Sequence, residues 1–193
     1  SLGGLNDRLT LVVPTLKRAL EDEDGRVRMG AALTLCELGS QAPPEIVPVL
    51  TKLLQGSGSH RMAGASALGK LGAAAAEAVE PLIACVQSDK HGWGPRTAAA
   101  NALGAIGPLA KAAIPSLLTL LEAKPVRRGR HGLGAFIASP QPTALVALLA
   151  IDPEHEQMLP VLRRAITEGD REMWAAADAA LKKIATGSSG KEE

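Results

Sequence analysis

The chain has 193 residues and a net charge of +1, and that balance excludes a bulk electrostatic pull toward nucleic acid or anionic lipid. Its aromatic residues are Trp93, Phe136 and Trp174, so a core of Ala and Leu is expected, which suits close-packed helices better than a sheet sandwich. No apolar run approaching the roughly 18 residues of a membrane span and no signal peptide are expected, and Cys36 and Cys85 sit in apolar helical contexts. A reduced, cytoplasmic setting is the default expectation.

Residues 1–8 carry no periodic frame and are expected to fray. Residues 9–21 form a helix built on Val13, Pro14 and Leu16, followed by the acidic turn Glu21, Asp22, Glu23 and Asp24. From there two motifs alternate. The first, here called A, is Arg28 to Gly39, and it returns as Arg61 to Gly72 and Arg96 to Gly107. All three copies keep Ala four residues after Arg, Ala or Thr at six, Leu at seven, Leu or Ile at ten and Gly at eleven. In the third copy Ala99, Ala102, Leu103 and Ile106 fall on one face of a 3.6-residue period, and the glycines stand where a left-handed C-terminal cap is favoured.

The second motif, B, places Pro two residues before Leu or Ile at Pro14, Pro48, Pro81, Pro115 and Pro160, with gaps of 34, 33, 34 and 45. Proline is tolerated in the first turn of a helix, where its missing N–H has no acceptor. The expected A helices lie near 26–38, 60–71, 95–106, 143–151 and 171–185, and the B helices near 45–55, 77–88, 111–123 and 155–168. Each unit reads as an A helix, a short turn and a B helix. Helices of about three turns are unstable alone, so each must be held by the next unit.

The organisation predicted is one solenoid domain over 1–193, all-α: a half repeat at 9–21, repeats at 22–55, 56–88, 89–123 and 124–168, a terminal half repeat at 169–185 and a tail at 186–193. The rhythm breaks by about eleven residues within the fourth repeat, at an insertion covering about 124–141. Starting on a B helix and stopping on an A helix implies either a fragment of a longer solenoid or unusual caps.

These alternating motifs resemble HEAT repeats, especially the short, Ala- and Gly-rich subclass typified by phycobilisome lyases, over roughly residues 9–185. The resemblance implies a right-handed superhelix with A helices convex and B helices concave. It also implies that Arg28, Arg61 and Arg96, with Asp24, belong to a structural ladder of hydrogen bonds between adjacent inter-repeat turns. Trp174 stands at the Arg position of the last A helix, where that ladder should end.

Candidate binding residues fall in two groups. Counting from each B-helix Pro, positions three and four should face the groove: Lys17 and Arg18, Thr51 and Lys52, Ala84 and Cys85, Leu118 and Thr119, Arg163 and Arg164. The groove is then basic at both ends and apolar in the middle, which suits a protein segment with acidic flanks. The other group lies along one edge, with Trp93 in a Gly-flanked turn and Arg127, Arg128, Arg130 and His131 in the insertion. Trp93 serves either as an exposed anchor or as a lid on its own hairpin. The insertion is either an anion cradle of arginines and glycines or a solvated loop or short helix filling a gap.

Catalytic and metal chemistry find little support. His60, His91 and His131 occupy successive turns, too far apart for one metal if helices pack about 8–10 Å apart. His155 and Glu156 are similar to one of the His-Glu pairs of the di-iron HEAT enzymes that hydroxylate deoxyhypusine, which use several. No cofactor and no catalytic residue are expected. The leading reading is a non-catalytic protein-binding scaffold. The alternatives are a nucleic-acid binder like the HEAT-like alkylpurine DNA glycosylases and a bilin lyase subunit.

Overall fold

The computed structural model describes residues 12–88, 92–123 and 140–167, together with 173–175, 177, 178 and 182. They are helical or connecting throughout, with no strand among the described residues. In chain order the helices are α1 (12–19), α2 (Gly25–Leu35), α3 (Ile46–Leu53), α4 (Gly58–Leu71), α5 (Val79–Gln87), α6 (Trp93–Ile106), α7 (Ile114–Glu122), α8 (Gln141–Ile151) and α9 (Met158–Thr167). The even-numbered helices α2 to α8 are A-type, and the odd-numbered ones are B-type.

The A-to-B connections are more than short turns. Three of them are 3-10 helices, Cys36–Gln41, Gly72–Ala78 and Gly107–Ala113, and the fourth, 152–157, is a run of turns, so the B helices begin later than expected. Gly72 and Gly107 end α4 and α6 with φ of 55° and 73°, a conformation costly for any residue with a Cβ. Each also sits beside the following A helix: a Cβ on Gly72 would lie 3.5 Å from the carbonyl oxygen of Ala105, and one on Gly107 would lie 3.8 Å from that of Ala150.

A helices stack on A helices, α4 on α6 and α6 on α8, while each B helix packs against the A helix that follows it: α3 on α4, α5 on α6, α7 on α8. Between α3 and α4 a Cβ on Gly64 would come within 2.7 Å of the Leu53 Cβ, and on the A-to-A seam Gly104 meets Ala147, where a Cβ would come within 2.9 Å of the Ala147 Cα. Small side chains on this seam let the backbones close up. The core runs continuously along the stack, from Leu35, Ile46 and Leu50 through Leu68, Leu82 and Leu103 to Leu117, Leu145 and Leu148.

Two further expectations change. The A helix of the fourth repeat starts at Gln141, not at 143, so the frame resumes with Ala147, Leu148 and Ile151 at six, seven and ten residues after Gln141. The helical run Trp93–Glu122 also has the length and apolar composition of a membrane span, contrary to the sequence reading. Half of its most apolar window is buried inside the protein, and the chain bends at Gly107. It is the core of the stack.

Candidate functional site

The arginines that open the A helices all point backward. Arg28 donates from NH1 to the carbonyls of Asp22 (2.6 Å) and Glu23 (2.8 Å). Arg61 donates from Nε to Gly56 (2.8 Å) and from NH2 to Gln55 (3.5 Å). Arg96 donates from Nε to Val86 (2.7 Å) and is 8% exposed. These acceptors are last-turn or post-helix carbonyls, which lack intrahelical partners and carry the negative end of the helix dipole. The bonds run along the chain, from each A helix to the end of the B helix before it. In α3–α4 and α5–α6 they clamp a B helix to the A helix packed directly against it.

Gln141 occupies the same frame position in α8, and its Nε2 donates to the carbonyl of Ala123 just after α7. Sequence reasoning missed it because the residue is not Arg and the inserted residues shift the count. The identical +6, +7, +10 pattern was the available signal. Asp24 has a different task from Arg28's partner: its side chain caps α2, accepting from the Arg26 backbone N–H at 2.8 Å. That bond holds its carboxyl below the usual range, helped by the Arg26 side chain and the charge of Arg28. Trp174 is 51% exposed at the last equivalent position.

Trp93 is the first residue of α6 rather than part of a free turn. It is half-buried against the core, and the Arg96 guanidinium lies 4.7 Å from its ring centroid. Its ring therefore belongs largely to the α5–α6 clamp. Arg127, Arg128, Arg130 and His131 lie outside the described residues, as does His91.

On the B helices, Lys17, Arg18, Lys52, Arg163 and Arg164 are all exposed. Lys17 Nζ pairs with Glu45, 3.6 Å away, just before α3. In the middle of the row Ala84 and Thr119 are exposed and Thr51 and Leu118 half-buried. Cys85, expected on the groove face, is instead buried, with its Sγ 3.7 Å from the Pro95 carbonyl. The closeness of α5 to α6 turns that position inward. Burial pushes the Cys85 thiol up, against the opposing charges of Arg61 and Arg96. Cys36 is likewise pushed up by burial.

Of the other histidines, His60 shares a 2.7 Å bond with Ser57 Oγ, and His155 Nδ1 accepts from the Gln157 backbone at 3.3 Å. Among the described residues no three His, Cys, Asp or Glu gather to hold a metal.

The sequence matches the HEAT-repeat family over residues 13–93 and 47–135, more than half of the chain. The chain is a HEAT-repeat protein. The HEAT assignment covers α1 to α7 and agrees with the helix-on-helix stacking described above. A comparison with curated proteins finds no match. HEAT solenoids commonly serve as protein-interaction scaffolds, and this one has the extended, repeat-by-repeat surface that such a role uses.

Proposed function

We propose that this HEAT-repeat protein is a non-catalytic scaffold that binds a partner protein segment across the exposed face of its B helices, the side that the family resemblance makes concave. The observation carrying this reading is the charge pattern of that face. Exposed Lys17, Arg18 and Lys52 lie on α1 and α3, and exposed Arg163 and Arg164 lie on α9, while the exposed residues between them, Glu80, Ala84 and Gln87 on α5 and Pro115, Thr119 and Glu122 on α7, include two carboxylates and no base. A segment with acidic flanks complements it. Trp93 is a second proposed contact, to which the sequence adds Arg127, Arg128, Arg130 and His131, outside the described residues. There Arg96 and the half-buried ring would act together as one stacked unit rather than as a free aromatic anchor.

The test is fluorescence anisotropy with a labelled acidic peptide, a labelled oligonucleotide and the Arg163→Ala/Arg164→Ala variant. The scaffold reading expects saturable peptide binding that the variant weakens, and no tight oligonucleotide binding at physiological salt. Preferential oligonucleotide binding with a steep salt dependence would favour the nucleic-acid alternative. The Ala- and Gly-rich A helices also keep the bilin-lyase subclass in view, for which a coloured, bilin-loaded preparation is the test.

A further inference from the structure

The B-helix face has a length scale as well as a charge pattern. α3 and α9 are three B helices apart, and α1 is one step further. The A-helix stack, α4 on α6 and α6 on α8, sets the step between repeats, and at about 10 Å per step Lys52 and Arg163 are roughly 30 Å apart along the row and Lys17 and Arg163 roughly 40 Å. An extended chain advances about 3.3 Å per residue, so these spans correspond to about 9 and 12 residues. Between them the exposed faces of α5 and α7 carry Glu80, Ala84, Gln87, Pro115, Thr119 and Glu122, two carboxylates and no base, so the middle of the row favours a neutral linker over a further acidic cluster.

One basic group is already occupied. Lys17 is paired with Glu45 at 3.6 Å, and the two side chains are 45% and 58% exposed. Such a surface pair is weak and readily exchanged. Glu45 thus presents to Lys17 the same carboxylate chemistry that a partner would bring.

Resting on the scaffold reading above, we propose that the partner is one extended protein segment with two acidic clusters about 9–12 residues apart, and that Glu45 competes with its first cluster for Lys17. The two clusters engage opposite ends of the row at once. Binding of the second then becomes intramolecular, with an effective concentration set by the linker.

The experiment uses the full chain and four fluorescein-labelled peptides. One carries a single Asp-Glu-Asp cluster. Three carry two clusters joined by Ser/Ala/Pro spacers of about 4, 10 and 24 residues, the last matching the span of a helix at about 1.5 Å per residue. The ten-residue spacer should bind about tenfold or more tighter than the single cluster. Arg163→Ala/Arg164→Ala should reduce it to the single-cluster level, and Glu45→Gln should tighten it about two- to fivefold at low salt. The two-cluster geometry is overturned if the 4- and 10-residue spacers bind alike, or if the 24-residue spacer binds best. An unchanged affinity in Glu45→Gln overturns the competition. Absence of saturable binding by every peptide, including the single cluster, would overturn the scaffold reading itself. Spacing-independent binding leaves that reading standing and removes only its geometry.

Discussion

Arg96 covers the face of Trp93 with its guanidinium while its Nε holds the carbonyl of Val86, so one buried side chain ties the start of α6 to the end of α5. Both contacts use the same charge. The hydrogen bond needs a donor at the carbonyl, and the ring contact needs a delocalised cation over the indole.

Replacing Arg96 with Ala should therefore destabilise the protein by about 3 kcal/mol, combining a lost charge-assisted hydrogen bond with a lost cation–π contact. Arg96→Gln should cost less, because Gln141 performs the carbonyl contact in α8. Urea unfolding followed by circular dichroism checks both. A change within about 0.5 kcal/mol, the range of ordinary surface substitutions, would remove the clamp from the account.

The A-helix seam predicts opposite outcomes for two glycines. Gly104→Ala gains helix propensity of up to about 1 kcal/mol but forces a Cβ to 2.9 Å from Ala147, and overpacking of that kind costs about 1–3 kcal/mol. The melting temperature should fall. Gly30 has nothing within 4 Å of its would-be Cβ, so Gly30→Ala should raise it. Equal shifts in the two variants would contradict the close A–A stacking.

The two thiols predict a pH dependence. Burial raises both Cys36 and Cys85 above the ordinary thiol value, so the folded state keeps its protons when the unfolded chain has begun to lose them. Their contribution to stability is fully present below about pH 8.5 and is lost as pH rises through the raised values. Chemical denaturation at stepped alkaline pH should show this fall, and it should flatten in Cys36→Ala/Cys85→Ala. Lys70, raised by its bond to Glu37, adds its own loss at higher pH in both proteins, so the difference between them isolates the thiols. An identical slope would show that the thiols ionise normally.

The architecture was legible because a stacked repeat writes the same contacts several times. Gly72 and Gly107 were readable as caps since the left-handed backbone turn that ends each A helix favours glycine. Pro48 and Pro115 marked B helices, although the 3-10 connectors before them left no comparable signature and moved the helix starts. Gln141 escaped notice because the clamp needs only a donor, which Gln supplies without the charge that made Arg conspicuous. Cys85 was misplaced for a geometric reason. Counting from Pro81 fixes an angle around α5, but whether that angle is covered depends on how closely α6 approaches. Sequence spacing within one helix does not contain that distance.

The binding face is tested most directly by amide chemical-shift mapping of the isotope-labelled protein against the ten-residue-spacer acidic peptide. The account predicts perturbations along the B helices, around Lys17 and Lys52, Ala84, Thr119 and Arg163, with the exposed A-helix positions Ser66, Asn101 and Val146 unchanged. Perturbations confined to the A helices, or to the neighbourhood of Trp93, would contradict it and move the binding site off the B-helix face.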